Sequence, residues 1–275
     1  MSITLATLLV TTAGDPLAGR LLLPADWTGQ ALLLLISLVA NAFSSFAGGG
    51  AGLVQLPALI LLGLPFALAL ATHKVASVAL GLGASARHLR DGRLEWRMAA
   101  LMLAAGLPGV VLGAATIVQV PERAAEIALG ALTCALGLYS AVKPQLGRHY
   151  AAAHRDRAGY LIGAAGLFGI GFLNGSLTSG TGLFVTLWLV RWFGMDYLAA
   201  VAHTLVLVGL FWNGSGALTL GLLSEIYWPW LPALLLGSLA GGYLGARLAV
   251  RYGSAWVKRA FEAVTILVGL KLLLG

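Results

Sequence analysis

Charged side chains are scarce in this chain. Asp, Glu, Lys and Arg make up 10% of its 275 residues, while hydrophobic residues make up 59%. An ordinary soluble domain carries about 25% charged residues, so this composition excludes a soluble globular protein. Apolar runs close to the ~20 residues that cross a bilayer recur along the whole length. The sequence therefore predicts an all-α integral membrane protein whose surroundings are the lipid bilayer.

Cysteine is also nearly absent, and acidic residues are missing from the apolar runs. The one cysteine, Cys134, excludes an intrachain disulfide framework and a thiolate metal cluster. All ten Asp and Glu residues fall in termini, loops or predicted helix ends. The apolar runs therefore lack the paired carboxylates and metal ligands that an intramembrane hydrolase would need. The sequence also has no ATPase-type phosphate-binding loop. We therefore predict no enzyme, no catalytic residues, no metal and no cofactor.

Two apolar stretches are too long to be single helices. The first runs over about 29–62 and is interrupted by glycines at 48–52, and the second runs over about 159–193 and is interrupted at 178–182. A helix over the first stretch would reach about 50 Å, whereas the hydrocarbon core of a bilayer is about 30 Å thick. Each stretch therefore predicts a broken helical hairpin, with both legs shorter than a full span. Such irregular backbone is tolerated only inside protein or beside a watery cavity.

The two broken stretches begin two similar halves of the chain. Residues 50–53 match residues 180–183 at an offset of 130, and residues 107–114 match residues 239–246 at an offset of 132. Glycine-rich apolar helices can match by chance, but several matches in the same order favour a repeat. Each half continues with three predicted membrane helices, near 65–86, 98–118 and 124–142, and near 196–220, 230–250 and 260–274. We divide the chain into an N-terminal extension 1–28, repeat 29–143, a cytoplasmic linker 144–157 and repeat 158–275.

Basic residues cluster in different loops of the two halves. In the first half they lie at 87–97, after the second predicted element, and in the second half at 247–259, after the third. Positively charged loops stay on the cytoplasmic side, so equivalent loops face opposite sides and the repeats are inverted. This orientation places 13 of the 17 Lys and Arg residues inside and both termini outside. It also explains the net charge of +7 without a nucleic-acid partner, and predicts a multi-pass protein of the inner membrane.

The two breaks form the predicted binding site. In inverted-repeat transporters, free backbone N–H groups and helix dipoles at such breaks attract anions near the midplane. The alternative is that the glycines only let helices pack closely. The residues to which we assign substrate binding are Ser44, Gly49, Gly50, Gly52, His73, Lys74, Asn174, Ser179, Gly180, Thr181, Gly182, His203 and Asn213.

Lys74 is the most informative of these residues. It follows Pro65 by nine positions, which places it about 14 Å along its helix, deep in the hydrocarbon layer. Such a residue usually faces a cavity on a substrate path, although a snorkelling lysine is the alternative. His73 and His203, at equivalent places, could bind the anion, carry a coupling proton or be hydrogen-bonded structural residues. Asn213 either lines the same cavity or serves helix packing.

Several of these motifs together resemble the TauE/SafE sulfite-exporter family. They are the glycine-rich first break, Ala71-Thr72-His73-Lys74, Ser179-Gly180-Thr181-Gly182 and the run at 241–249. The resemblance covers about 30–275. This chain departs from the family pattern at two places. Its second break is less glycine-rich than in many members, and it has His73 where Asn or Ser is common. Such proteins are bacterial inner-membrane permeases, several of them linked to sulfite, organosulfonates and related small anions. The resemblance implies a permease for such an anion.

From the residues alone, three readings of the function stay open. The symmetry, Lys74 and the missing ATPase motif favour a secondary transporter for a small anion that works by alternating access. A passive anion channel with the same architecture is the first alternative, and a non-transporting membrane subunit is the second. The sequence also leaves open a homo-oligomer, a coupling proton or ion, the particular anion and the direction of transport.

Overall fold

A computed structural model describes residues 21–22, 26–47, 51–88, 94–142, 151–178, 180–252, 266–267 and 269–274. All the regular structure in these residues is helical. The helices are α1 (Trp27–Ala47), α2 (Ala51–Leu61), α3 (Phe66–His88), α4 (Trp96–Ile117), α5 (Glu122–Val142), α6 (Arg157–Ser176), α7 (Thr181–Arg191), α8 (Tyr197–His203), a π-helix (Thr204–Trp212), α9 (Asn213–Leu223), a short 3-10 helix (Trp228–Trp230) and α10 (Leu231–Tyr252).

Six helical segments of the described residues are long and apolar enough to cross a membrane. Large apolar side chains such as Leu161, Leu218 and Leu236 are exposed on the outside, where a soluble protein would rarely collect them. The prediction of an all-α integral membrane protein is confirmed. The six segments are Trp27–Phe46, Phe66–Ser85, Trp96–Ile117, Arg157–Ser176, Ala199–Leu223 and Trp228–Leu248.

Both predicted broken stretches are pairs of helices separated by a break. The first legs, α1 and α6, have 21 and 20 residues, and the second legs, α2 and α7, have 11 residues each. The expectation of two short legs is therefore wrong for α1 and α6. Each break lies so far along its stretch that 21 residues of α1 and 20 of α6 stand before it, enough for a full span. An aspartate caps the start of each helix: Asp26 accepts from Gly29 N–H at 3.0 Å, and Asp156 accepts from Gly159 N–H at 3.2 Å.

Hydrogen bonds gather one group of loops at one end of the molecule. The backbone N–H of Leu22 donates to Leu62 O at 3.0 Å, which joins the segment before α1 to the end of α2. The N–H of Phe66 at the start of α3 donates to Glu122 Oε1 at the start of α5, at 3.1 Å. The first broken stretch therefore returns to the end from which it starts.

A second group of loops lies at the opposite end. The N–H of Ala151, before α6, donates to Gly194 O, after α7, at 2.8 Å. Arg155 also pairs with Glu95 at 3.0 Å, which brings the start of α4 to this end. Because α4 has 22 residues and is about 33 Å long, the two groups of loops are well separated. The second broken stretch thus starts from the other end, and its inversion across a membrane stays a prediction.

Small residues bring helices of different halves into backbone contact. A Cβ atom added to Gly241 of α10 would lie 2.5 Å from Leu38 O of α1. In the same way, Gly109 of α4 lies against Phe168 O of α6, and Gly175 of α6 lies against Val110 O of α4. The small residues in the runs at 107–114 and 239–246 make this close packing possible. The closest helix pairs are therefore α1 with α10 and α4 with α6.

The helix α3 and the π-helix lie between these two pairs. They approach so closely that a Cβ atom on Gly81 would lie 2.6 Å from the carbonyl carbon of Gly209, and α3 is the most buried of the six spans. A π-helix is rare and is frequently found at functional sites. The nine-residue π-helix occupies the middle of the span Ala199–Leu223, where it faces a cavity.

Candidate functional site

The two breaks lie against each other. A Cβ atom added to Gly52, in the first turn of α2, would lie 2.9 Å from the carbonyl oxygen of Thr178, just before α7. Glycine is needed at position 52 because any side chain would collide with the second break. The first helical turns of α2 and α7 are therefore neighbours, although they belong to different halves of the chain.

A cavity opens where the breaks meet, and both halves line it. It holds about 370 Å³ of empty space, counting the space at its open side. Among the described residues, the lining contains no Asp or Glu. The lining residues are Ser44, Gly52, His73, Ser77, Leu80, Asn174, Thr178, Thr181, Gly182, Thr204, Leu205, Val208, Gly209 and Asn213.

Lys74 lies beside this cavity and is completely buried, with 0% of its surface exposed. Its Nζ donates to Asn174 O and Asn174 Oδ1, both at 2.6 Å, and to Asn213 Oδ1 at 3.1 Å. All three acceptors are neutral oxygens, so no carboxylate among its described partners balances the ammonium. Room for the aliphatic stem comes from Gly216, where an added Cβ atom would lie 3.2 Å from Lys74 Cδ. The depth predicted for Lys74 agrees with this burial.

The second break is built from a chain of hydrogen bonds that starts at Asn174. Its Nδ2 donates to Thr181 Oγ1 at 2.8 Å, and the Thr181 hydroxyl donates to Thr178 O at 2.8 Å. Gly180 caps the N-terminus of α7 with a left-handed φ of 64°. This geometry holds the first turn of α7 against the cavity, with Thr181 and Gly182 in the lining.

Thr178 was predicted to offer a polar contact at the second break but was not among the residues assigned to substrate binding. Its φ is +60°, a value that is a genuine outlier for a β-branched residue. It is 5% exposed, and its Oγ1 has no hydrogen-bond partner among the described residues. Strained backbone and unpaired buried polar atoms are concentrated at functional sites. The available signal was its place at the first residue of the second break.

His73 lines the cavity, and a network of hydrogen bonds joins it to other residues of the first half. Its Nδ1 lies 2.8 Å from Gln55 Oε1, and its Nε2 lies 3.0 Å from Ser77 Oγ. The Gln55 amide nitrogen in turn donates to Ser37 Oγ at 2.9 Å. Because Gln55 Oε1 only accepts, Nδ1 carries the proton of a neutral His73 ring and Nε2 accepts from Ser77. The sequence analysis did not identify Ser77 or Gln55.

His203 lies in a different environment from its counterpart His73. Its Nε2 accepts the backbone N–H of Glu95 at 2.8 Å, and its Nδ1 lies 2.8 Å from Ala199 O. It is not one of the described lining residues and instead holds the first turn of α4. The residue that corresponds to Gln55 in the second half is Val185, which offers no polar partner to turn His203 toward the cavity.

The structure describes ten of the thirteen predicted site residues. Seven of them line the cavity: Ser44, Gly52, His73, Asn174, Thr181, Gly182 and Asn213. Gly180 caps α7 next to the lining, while Gly49, Gly50 and Ser179 lie outside the described residues. Across the described part of the chain, no three His, Cys, Asp or Glu side chains are placed to hold a metal ion.

The multi-pass helical fold and the internal polar cavity are those of a membrane transporter, and comparison with known proteins agrees. The model of the sulfite exporter TauE/SafE family matches residues 33–272, and the chain belongs to this family. A "Probable membrane transporter protein" of Haemophilus influenzae is 31% identical over 235 residues, covering 83% of this chain and 88% of that protein. Similar relatives are ORF9 of Sinorhizobium, 29% identical and covering 88% and 92%, and YfcA of Escherichia coli K12, 28% identical and covering 88% of each. Both carry the same description. No solved structure matches the chain significantly.

Proposed function

We propose that this protein is a secondary transporter for a small anion, such as sulfite, an organosulfonate or a related sulfur-containing or carboxylate anion. The observation that carries the proposal is the buried ammonium of Lys74 beside a cavity whose described lining has no carboxylate. A buried charge without a counterion is costly. An anion in the cavity would supply that counterion, whereas a cation would be repelled.

The second break adds neutral donors suited to an anion. The N-terminus of α7 directs the positive end of its helix dipole toward the Thr181 and Gly182 part of the lining. The unpaired Thr178 hydroxyl lies in the same lining. Together these groups can replace the hydration shell of a small oxyanion, as a permeation site must.

The family and the relatives support transport as the function. The matching family is described as a sulfite exporter, and the relatives are described as probable membrane transporter proteins. A sulfur oxyanion fits a site built from an ammonium and neutral hydrogen-bond donors. From the distribution of basic residues we also propose that the protein lies in the inner membrane, with the loops near 87–97 and 247–259 inside and both termini outside.

Alternating access would follow from movement of two helix units across the cavity. The glycine contacts tie α1 to α10 and α4 to α6, so each tight pair combines helices of both repeats. We propose that the unit around α1 and α10 rocks against the unit around α4 and α6, with the two breaks between them. The Lys74 bonds cross this boundary, because Lys74 lies on α3 whereas Asn174 and Asn213 lie on α6 and α9.

The test is counterflow of radiolabelled anions into proteoliposomes that contain the purified protein. Sulfite, methanesulfonate, thiosulfate and lactate are the probes. We expect saturable uptake of at least one probe, loss of this uptake in Lys74→Met, and normal uptake in Lys271→Met. Lys271 is the matched control because it is an exposed lysine remote from the cavity.

The outcomes separate the competing functions. Saturable counterflow that needs Lys74 supports a transporter. Currents in planar bilayers that rise with anion concentration without saturation would indicate a passive channel instead. Absence of saturable uptake for every probe, with protein that elutes as a single species, would refute anion transport by this chain and favour a non-transporting subunit.

A further inference from the structure

We propose that the anion is bound directly by the Asn213 amide and the Thr178 hydroxyl, and that Lys74 is a positioning residue that acts through Asn213. The inference rests on the proposed function, and it assigns the contacts within that site. Lys74 Nζ donates three hydrogen bonds, and all three acceptors belong to the protein.

An ammonium group has three protons and no acceptor. The three oxygens around Lys74 Nζ, two from Asn174 and one from Asn213, use all three protons at 2.6, 2.6 and 3.1 Å. No proton of Nζ is left for an anion in this arrangement. Lys74 can therefore supply charge to the cavity, but the direct contacts must come from other groups.

The same bonds fix how the two asparagine side chains are turned. Because Lys74 only donates, the amide oxygens of Asn174 and Asn213 must face Nζ, and their NH2 groups must point away from it. One of the two N–H donors of the Asn174 NH2 group is used by Thr181 Oγ1 at 2.8 Å, which holds this side chain against the second break. The Thr181 hydroxyl is itself occupied, since it donates to Thr178 O.

Asn213 is in a different position. Its amide oxygen accepts from Lys74, while its NH2 group has no hydrogen-bond partner among the described residues, and the residue lines the cavity. Its NH2 group is therefore held ready for a ligand by the bond on the other side of the amide. The ammonium also polarises this amide, which makes its N–H groups stronger donors.

Thr178 supplies the second donor. Its hydroxyl has no partner in the described part of the chain, the residue is 5% exposed, and it lines the same cavity. The left-handed φ of +60° costs free energy that the rest of the fold must offset. A role for the hydroxyl in binding gives that conformation a reason that packing alone does not.

The experiment is a double-mutant cycle on anion affinity, measured with the best of the four counterflow probes by titration of protein in nanodiscs. The variants are Lys74→Met, Asn213→Leu and both together, with Thr219→Val on α9 as the matched control because Thr219 only bonds Ser215 O. We expect Asn213→Leu to weaken binding by about 10- to 100-fold, as for loss of a hydrogen bond to a charged group. The loss of affinity caused by Lys74→Met should be at least fivefold larger in the wild-type background than in the Asn213→Leu background. In Asn213→Leu, Lys74 can act on the anion only through long-range attraction.

Further variants cover the case in which a member of the cycle fails to fold. Thr178→Val should lose affinity about tenfold whereas Thr178→Ser should keep it, because only the first change removes the hydroxyl. Asn213→Asp should abolish binding, since its carboxylate would pair with Lys74 and present an acceptor to the anion.

Three results would overturn the assignment. Equal losses for Lys74→Met in both backgrounds would mean that Lys74 contacts the anion itself. Wild-type affinity in Asn213→Leu, or in Thr178→Val, would remove that residue from the direct contacts. In each case the wild-type protein still binds the probe, so the proposed function stands, whereas a wild-type protein that binds no probe fails at the earlier step.

Discussion

The contact between α1 and α10 allows a quantitative test of the helix packing. Replacing Gly241 by alanine adds a methyl group 2.5 Å from Leu38 O and 2.9 Å from Ala42 N. Ordinary contact begins at 3.4 Å, so α10 and α1 must separate by about 0.9 Å to admit the methyl group. Both neighbours are backbone atoms and cannot turn away as a flexible side chain would.

The expected magnitude follows from two opposing effects. Overpacking of a tight interface costs about 1–3 kcal/mol, while alanine gains about 1 kcal/mol over glycine in helix propensity. Gly169→Ala on α6 shows the second effect alone, because a Cβ atom there meets nothing within 4 Å. Comparison with this variant therefore isolates the cost of overpacking. We therefore expect Gly241→Ala to be less stable than Gly169→Ala by about 1–3 kcal/mol.

The assay is SDS titration in mixed detergent micelles, followed by the fluorescence of the eight tryptophans. Gly171→Ala, whose methyl group would meet Gly106 O on α4, should lose as much stability as Gly241→Ala. If Gly241→Ala were as stable as Gly169→Ala, the α1–α10 interface would not be close-packed. The proposal that these two helices move as one unit would then lose its basis.

Two further predictions concern the His73 network and the orientation of the helices. Gln55→Leu should destabilise the protein by about 1–3 kcal/mol in the same titration, because the Nδ1–H of buried His73 loses its acceptor. An unchanged midpoint would show that the network is not formed. In a Cys134→Ser background, Glu225→Cys should react with a membrane-impermeant maleimide on intact cells, whereas Ala152→Cys should react only after lysis. Labelling of both cysteines on intact cells would contradict the inverted topology.

The sequence was sufficient for those parts of the fold that depend on local composition. Hydropathy located four of the six spans, those near 65–86, 98–118, 196–220 and 230–250. The glycines at 48–52 and 178–182 located the breaks, because a helix cannot continue cheaply through such residues. The small residues near 107–114 and 239–246 identified the close interfaces, since only glycine lets a backbone carbonyl approach. The depth of Lys74 followed from helical rise alone.

Contacts between segments that are distant in the sequence could not be predicted from local composition. That His203 would accept the N–H of Glu95 depends on how α8 meets α4, which no local pattern encodes. The left-handed conformation of Thr178 and the π-helix at Thr204–Trp212 likewise arise from tertiary packing, which overrides local preference. Equivalent positions in the two halves do not give His73 and His203 the same surroundings, because Val185 stands where the first half has Gln55.

This broken symmetry bears on how such a site can work. The two halves contribute matching elements at the centre, with Gly52 against the second break and Gly81 against Gly209. The chemistry is divided unequally, since the place of Lys74 is taken in the second half by Thr204, which bonds Thr186 at 2.9 Å. Two ammonium groups facing each other in a cavity of this size would repel each other and would hold an anion too firmly to release it. In the proposed transporter, a single buried cation with neutral donors opposite would attract a small anion strongly enough to bind it and weakly enough to let it leave on either side.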